Sequence, residues 1–176
     1  DWRASIDNDL AAVCRACDLT LISNDGQRDL YETAGARRVE YMQIGLDHAE
    51  DILGEPPWTP PFEIPEVVFC GNYYKSTFPG SNDRLRAILA LREAGIAVGV
   101  VGSGWPSSIQ PLGICGVKQQ HHVYRRAKVA LSISNINDCR LYYSDRQLIA
   151  MASGTPVACK NVPGLEEEFL DAHPAG

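Results

Sequence analysis

Four glycine-bearing or charged loops carry the residue types that anion chemistry needs. The first is Gly71-Asn72-Tyr73-Tyr74-Lys75-Ser76, which follows an apolar run. Glycine lets backbone amides approach a ligand, and Lys75 can pair with a phosphate. The spacing to a terminal GK[ST] is missing, so this is not a P-loop. The second is Gly102-Ser103-Gly104-Trp105-Pro106. No third glycine follows and Pro106 precludes a simple helix start, which argues against a dinucleotide fingerprint. Trp105 offers a plane for a base or sugar, or else packs on its own loop. The third runs from Cys115-Gly116-Val117-Lys118 into Gln119-Gln120-His121-His122. Adjacent histidines on a helix point about 100° apart and do not readily share one metal. The fourth is Tyr142-Tyr143-Ser144-Asp145-Arg146, at a helix start. Free amides and the positive dipole end favour an anion there, and Arg146 adds a charge suited to bidentate phosphate contact.

Charge along the chain agrees with this placement. The 176 residues carry a net charge of −6, which argues against a general nucleic-acid binder. Residues 1–66 hold 5 basic and 14 acidic groups, whereas residues 67–150 hold 10 basic and 4 acidic. Residues 151–176 return to 1 basic and 4 acidic. A positive segment within an acidic chain suits an anionic ligand, although solvated charges also cluster by chance. Apolar residues at 45% and charged residues at 22% exclude collagen, low-complexity disorder and a coiled coil. No apolar run is long enough to span a membrane.

The elements that must position these loops alternate. Residues 3–17 read as a helix, 19–23 as a strand, 26–34 as a helix and 39–44 as a strand. Pro56-Pro57-Trp58-Thr59-Pro60-Pro61-Phe62-Glu63-Ile64-Pro65 cannot be helix or central strand and reads as a semi-rigid linker. After it come strands at 67–70, 96–101, 129–133 and 155–158. Helices follow from Ser81 or Asn82 to Ala94, over 119–127, over 146–153 and from Gly164 to Leu170. Leu85, Ile88 and Leu89 form the apolar face of the first of these. This order predicts an α/β fold, a Rossmann-like parallel sheet with helices on both faces, preceded by a strand–helix–strand stub. The expected boundaries are 1–50, a linker over 51–66, and a ligand-binding domain over 67–176.

Cysteines stand at 14, 17, 70, 115, 139 and 159. Cys14 and Cys17 lack a second ligand pair for zinc, and they join Ile6, Leu10 and Val13 in one apolar helical stripe. Packing cysteines are expected, in a reducing, cytoplasmic setting. The chain starts at Asp1 with no leader pattern, so it reads as processed or as a fragment. His173-Pro174-Ala175-Gly176 close no recognisable element.

The string Arg146-x-x-x-Ala150-x-Ala152-Ser153-Gly154-Thr155-Pro156-Val157, followed by Pro163-Gly164-Leu165-Glu166-Glu167, resembles the nucleotide-binding half of GT-B glycosyltransferases. It is most similar to the group-1, CgeB-like branch. Gly71, Gly102-x-Gly104-Trp105-Pro106, Gly116-Val117 and Tyr124-x-x-Ala127 follow in the order of that family. Gly35-Ala36, the 39–45 strand and Asp47 resemble the end of its N-terminal domain.

The resemblance implies a donor domain that holds a nucleoside-diphosphate sugar, with the base near Gly116 and Val117. It implies that the diphosphate meets the Gly71 loop and the 144–146 helix start, so Gly71, Asn72, Tyr73, Lys75, Trp105, Gly116, Val117, Tyr143, Ser144 and Arg146 are the expected donor-binding residues. It implies transfer to an unidentified acceptor (saccharide, protein, small molecule or modified nucleic acid) without a bound metal or cofactor. No catalytic residue is assigned. Asp47 and His48 are acid–base types, but they read as loop residues. One departure stands out. The family places a glutamate for the ribose hydroxyls where this chain has Ile149. That departure, and the short N-terminal part, keep two rivals open: a non-catalytic nucleotide or sugar-phosphate module, and a scaffold domain that lost its ligand.

Overall fold

The structure, a computed structural model, describes residues 5–54 and 56–171. The expected features at residues 3–4 and 173–176 lie outside them. Two compact units are present, and they do not follow chain order. One comprises residues 45–135 and 144–160. The other comprises residues up to 44, residues 136–143 and residues from 161 onward.

In this second unit α1 (Asn8–Ala16) is capped by Asp7, whose carboxylate accepts from Leu10 N at 2.8 Å. Strands β1 (Thr20–Ile22) and β2 (Val39–Tyr41) pair in parallel around α2 (Arg28–Thr33). Cys14, Ile22, Tyr31 and Val39 form the core, with Ile6 and Leu10 against it. Val13 and Cys17 are exposed, which corrects the expected stripe. Val13 lies about 100° around the helix from Cys14, and Cys17 is the C-cap residue. Distant segments join by hydrogen bonds. Asp25 N and Gly26 N donate to Arg140 O at 3.0 and 3.2 Å, and Leu141 N donates to Pro163 O at 2.9 Å. The Arg140 guanidinium pairs with Asp25 at 3.4 Å and Glu167 at 2.6 Å.

The larger unit is built on a four-stranded parallel sheet of order β4-β3-β5-β6. The strands are β3 (Val67–Cys70), β4 (Val98–Val101), β5 (Val129–Ser132) and β6 (Val157–Cys159). Val67 pairs with Val98 on one side and Val129 on the other. The period-two alternation of a doubly buried strand divides the core. Val68 and Cys70 face one side with Val101, Tyr124, Ala130, Ile149 and Ala150. Phe69 faces the other with Ile88, Val100, Ile109, Leu131 and Ile133. Helix α3 (Pro79–Glu93) covers the Phe69 face, and α4 (Gln120–Tyr124) and α5 (Asp145–Ala152) cover the opposite one. The Pro-rich segment forms neither helix nor strand and lays Trp58, Phe62 and Ile64 against the Val68 face.

Two local expectations fail on α3. Neither Ser81 nor Asn82 caps it. Pro79 occupies the first turn, where its missing N–H costs nothing, and Ser81 Oγ instead accepts from Tyr74 N at 3.2 Å. Leu89 is exposed; the buried positions are Gly80, Ser81, Arg84 and Ile88. At the other edge of α3, Asp83 accepts from Lys160 and Arg86, each at 2.6 Å. Lys160 above all holds the Asp83 carboxyl below the usual carboxylate range. This stabilisation is complete above the unfolded carboxylate pKa of about 4 and fades as pH falls through the lower folded value. Asp83→Asn is therefore expected to cost under about 1 kcal/mol at neutral pH, since its partners are solvated. It should also shrink the acid-induced loss of stability, measured as urea midpoints at neutral pH and near pH 3.

Candidate functional site

Strand order reverses between β3 and β5, because the chain runs from β3 out to β4 and then back across to β5. In open α/β sheets the ligand crevice lies beyond the carboxyl ends of the strands at such a reversal. Two arginines converge there. Arg84, fully buried on α3, donates from Nε to Ile133 O at 2.8 Å and from Nη1 to Asn72 O at 2.9 Å. It therefore ties the exit of β5 to the exit of β3. Arg146, on the first turn of α5, donates from Nη1 to the same Ile133 carbonyl at 3.4 Å. Both guanidiniums lie over the Phe69 ring, at 5.6 and 5.2 Å from its centroid. Among the described residues no carboxylate pairs with the Arg146 guanidinium.

The Gly71 loop closes one wall. A side chain built on Gly71 would stand 3.2 Å from the Arg146 guanidinium, which places that loop directly against the cation. Asn72 Oδ1 accepts from Ser103 N at 2.8 Å, and Tyr73 N donates to Ser103 O at 2.9 Å. The loops after β3 and β4 are thereby zipped together. Gly102 is required for this, because any Cβ there would meet Gly71 O at 2.2 Å. Trp105 is part of the zip. Its indole N–H donates to Gly71 O at 3.0 Å and its ring meets Phe69 and Tyr73 at 5.6 and 5.5 Å. Packing on the loop accounts for this tryptophan.

The remaining expected residues are more dispersed. Lys75 is exposed, adopts a φ of 54°, and makes no side-chain hydrogen bond or ion pair among the described residues. Gly116 and Val117 sit on an exposed turn, where Gly116 N donates to the Gln119 side chain at 2.9 Å. Ser144 caps α5, but Arg146 N already donates to Asp145 Oδ1 at 2.8 Å and to Ser144 Oγ at 3.4 Å. The guanidinium, rather than that amide, is the group left for an anion. Tyr143 belongs to the other unit, buried with its ring 5.3 Å from Phe169. Ile149 is buried in the core beside Val68, Cys70 and Tyr124. His121 Nδ1 meets Lys118 O at 2.8 Å, and His122 Nε2 meets Pro56 O at 3.3 Å.

The family model described as glycosyl transferase-like matches residues 84–173, a span that holds Arg84 and Arg146 alike. The chain belongs to the glycosyl transferase-like family. Its fold, a parallel sheet flanked by helices, is similar to that of GT-B glycosyltransferases. The pneumococcal O-GlcNAc transferase GtfA, solved with UDP and GlcNAc, superposes with a TM-score of 0.54 at 15% identity over 92% of this chain and 34% of that one. A GtfA/B complex gives 0.49 at 12% identity over 93% and 34%. The iron-containing dodecameric glycosyltransferase TibC from enterotoxigenic E. coli gives 0.35 at 15% identity over 76% and 36%. This member thus spans about a third of the solved relatives it matches. No curated protein matches the sequence.

The sequence reading missed Arg84 and Phe69. A signal for Arg84 existed: Ser81, Arg84 and Ile88 fall at helical spacing on one face. A charged residue in an apolar stripe is normally read as a snorkelling surface group.

Proposed function

We propose that this chain is the donor-binding part of a GT-B glycosyltransferase of the group-1, CgeB-like branch. It would bind a nucleoside-diphosphate sugar and pass the sugar to an acceptor held largely by other parts of the protein. One observation carries this reading. Two guanidiniums share a single carbonyl at the sheet's reversal point, and Arg146 has no carboxylate partner among the described residues. Two like charges held this close repel, and a diphosphate relieves that repulsion. During transfer the bond between the anomeric carbon and the diphosphate oxygen breaks, and charge accumulates on the leaving diphosphate. Arg146, backed by Arg84, would stabilise that charge without reorganisation, with Lys75 on the Gly71 loop as a further cation. Small apolar and backbone groups near Gly116 and Val117 would receive the base. The chemistry is proposed to need no bound metal or cofactor, in a cytoplasmic setting. No described helix is long and apolar enough to cross a membrane.

A second reading, a non-catalytic nucleotide or sugar-phosphate module, draws on Ile149. The residue at the family's ribose-binding position is apolar and buried. Calorimetric titration with UDP-, GDP-, ADP- and TDP-sugars tests both readings. Binding of at least one at micromolar to millimolar levels is expected, and none at millimolar levels sinks both. Donor hydrolysis or transfer by a longer chain then selects the enzyme over the module.

A further inference from the structure

A cavity of about 390 Å³ opens on the Phe69 side of the sheet, between α3 and the ends of β5 and β6. Strand register builds its floor. Leu131 pairs with Ala158 and belongs to the Phe69 face, so Ala158 and, two residues on, Lys160 point to that face as well. Lys160 N donates to Ser132 O at 3.1 Å, which keeps it in the ladder. Leu131 and Ile133 are buried, yet Ala158 is exposed although it lies within a sheet. The helix supplies the wall. Asp83, Arg86 and Ala87 fall at i, i+3 and i+4 of α3 and share one side of it. All of these residues belong to the larger unit.

The charges at the mouth do not cancel. Asp83 accepts from Arg86 and from Lys160, each at 2.6 Å. Two cations therefore share one carboxylate, and one positive charge remains. The Arg86 and Lys160 side chains are 77% and 47% exposed, whereas Asp83 between them is 19% exposed. Each cation commits one N–H group to Asp83, while a guanidinium carries five and an ammonium three. Donors are thus left over at the rim. We propose that this cavity binds a small monocarboxylate with an apolar body. The carboxylate sits at Arg86 and Lys160, and the body covers Ala87, Leu131, Ile133 and Ala158. A phosphate or diphosphate gains nothing from those four apolar side chains, and an apolar cation meets a net positive rim. The volume lies at the small end of ligand sites, which start near about 300 Å³. It has room for about a dozen groups the size of a water, which matches a chain of about eight carbons with its carboxylate.

The test needs no nucleotide, so failure of donor binding leaves it intact. The full chain, isotope-labelled, is titrated with octanoate and followed by amide NMR shifts. Shifts centred on Ala87, Leu131 and Ala158 are expected at roughly millimolar octanoate, ordinary for a ligand of this size. Octylammonium, of equal length and opposite charge, should bind several-fold more weakly. Lys160→Gln should weaken octanoate several-fold. Ala158→Leu, which fills the floor, should remove the shifts at Ala87 and Leu131. Both positions are exposed, so neither change should alter the far-UV circular dichroism spectrum. Equal binding of the two probes would reduce the cavity to an unselective apolar dent and overturn the proposal. Octanoate shifts that gather elsewhere, an unchanged affinity in Lys160→Gln, or an Ala158→Leu chain that binds as the parent does would overturn it too. The comparison of probes uses the unaltered chain, so it decides the matter even where a variant fails to fold.

Discussion

Arg146→Ala is expected to weaken nucleoside-diphosphate binding by about 1.5–3 kcal/mol, the usual worth of a charge-assisted hydrogen bond. This corresponds to roughly a 10- to 150-fold loss in affinity at 25 °C. The effect should fall on binding rather than on folding. The guanidinium rests on one carbonyl at 3.4 Å and on the Phe69 ring, and its removal strands no carboxylate. It also removes a positive neighbour of Arg84, which offsets the lost contacts. The denaturation midpoint should therefore move little while the titration curve moves far. Arg146→Lys keeps the charge but not the planar fork, so an intermediate affinity is expected. An alanine variant that binds as tightly as the parent would place the diphosphate elsewhere.

Gly80→Ala is expected to destabilise the larger unit by about 3 kcal/mol or more, at the upper end of overpacking costs. Helix propensity alone predicts the opposite sign, because alanine exceeds glycine by up to about 1 kcal/mol in a helix interior. Space decides the matter. A methyl at Gly80 would stand 2.0 Å from Ser134 O and 2.6 Å from Asn135 O. Both are backbone atoms that cannot rotate away. Gly80 N also donates to Asn135 O at 2.8 Å, so α3 is bonded where it would be pushed off. The displaced segment adjoins Ile133, whose carbonyl both arginines hold, so nucleotide affinity should fall together with the urea midpoint. Gly95 is the matched comparison. Its φ is +80° but nothing lies within 4 Å of an added Cβ, so Gly95→Ala should cost only about 1–2 kcal/mol of backbone strain. A Gly80 variant as stable as the parent would refute the close packing of α3 against residues 134–135, just after β5.

These two residues mark what the sequence made legible and what it did not. The strands from Val67 to Cys70 and from Val129 to Ser132 were readable because doubly buried strands are short apolar runs between turn residues. Element ends were read too long: residues 39–44 shrink to a strand at Val39–Tyr41, and residues 119–127 to a helix at Gln120–Tyr124. Local pattern fixes the existence of an element better than its ends. At the site, Arg146 was legible because a helix start and a cation coincide in sequence. Arg84 was not, because its role depends on two carbonyls 12 and 49 residues away. Grouping of residues 136–143 and 161–171 with the N-terminal part likewise depends on bonds such as Leu141 N to Pro163 O, which no periodicity announces.

The Pro-rich segment has a practical consequence for anyone dissecting this protein. Read as a spacer, it invites a cut just before Val67. Yet Trp58, Phe62 and Ile64 seal one face of the sheet. A chain trimmed there would present that greasy face to water and to other copies of itself. Its precipitation would then report the loss of a strap, not any failing of the sheet beneath. Soluble truncations should retain the chain from Gly45, where the larger unit begins.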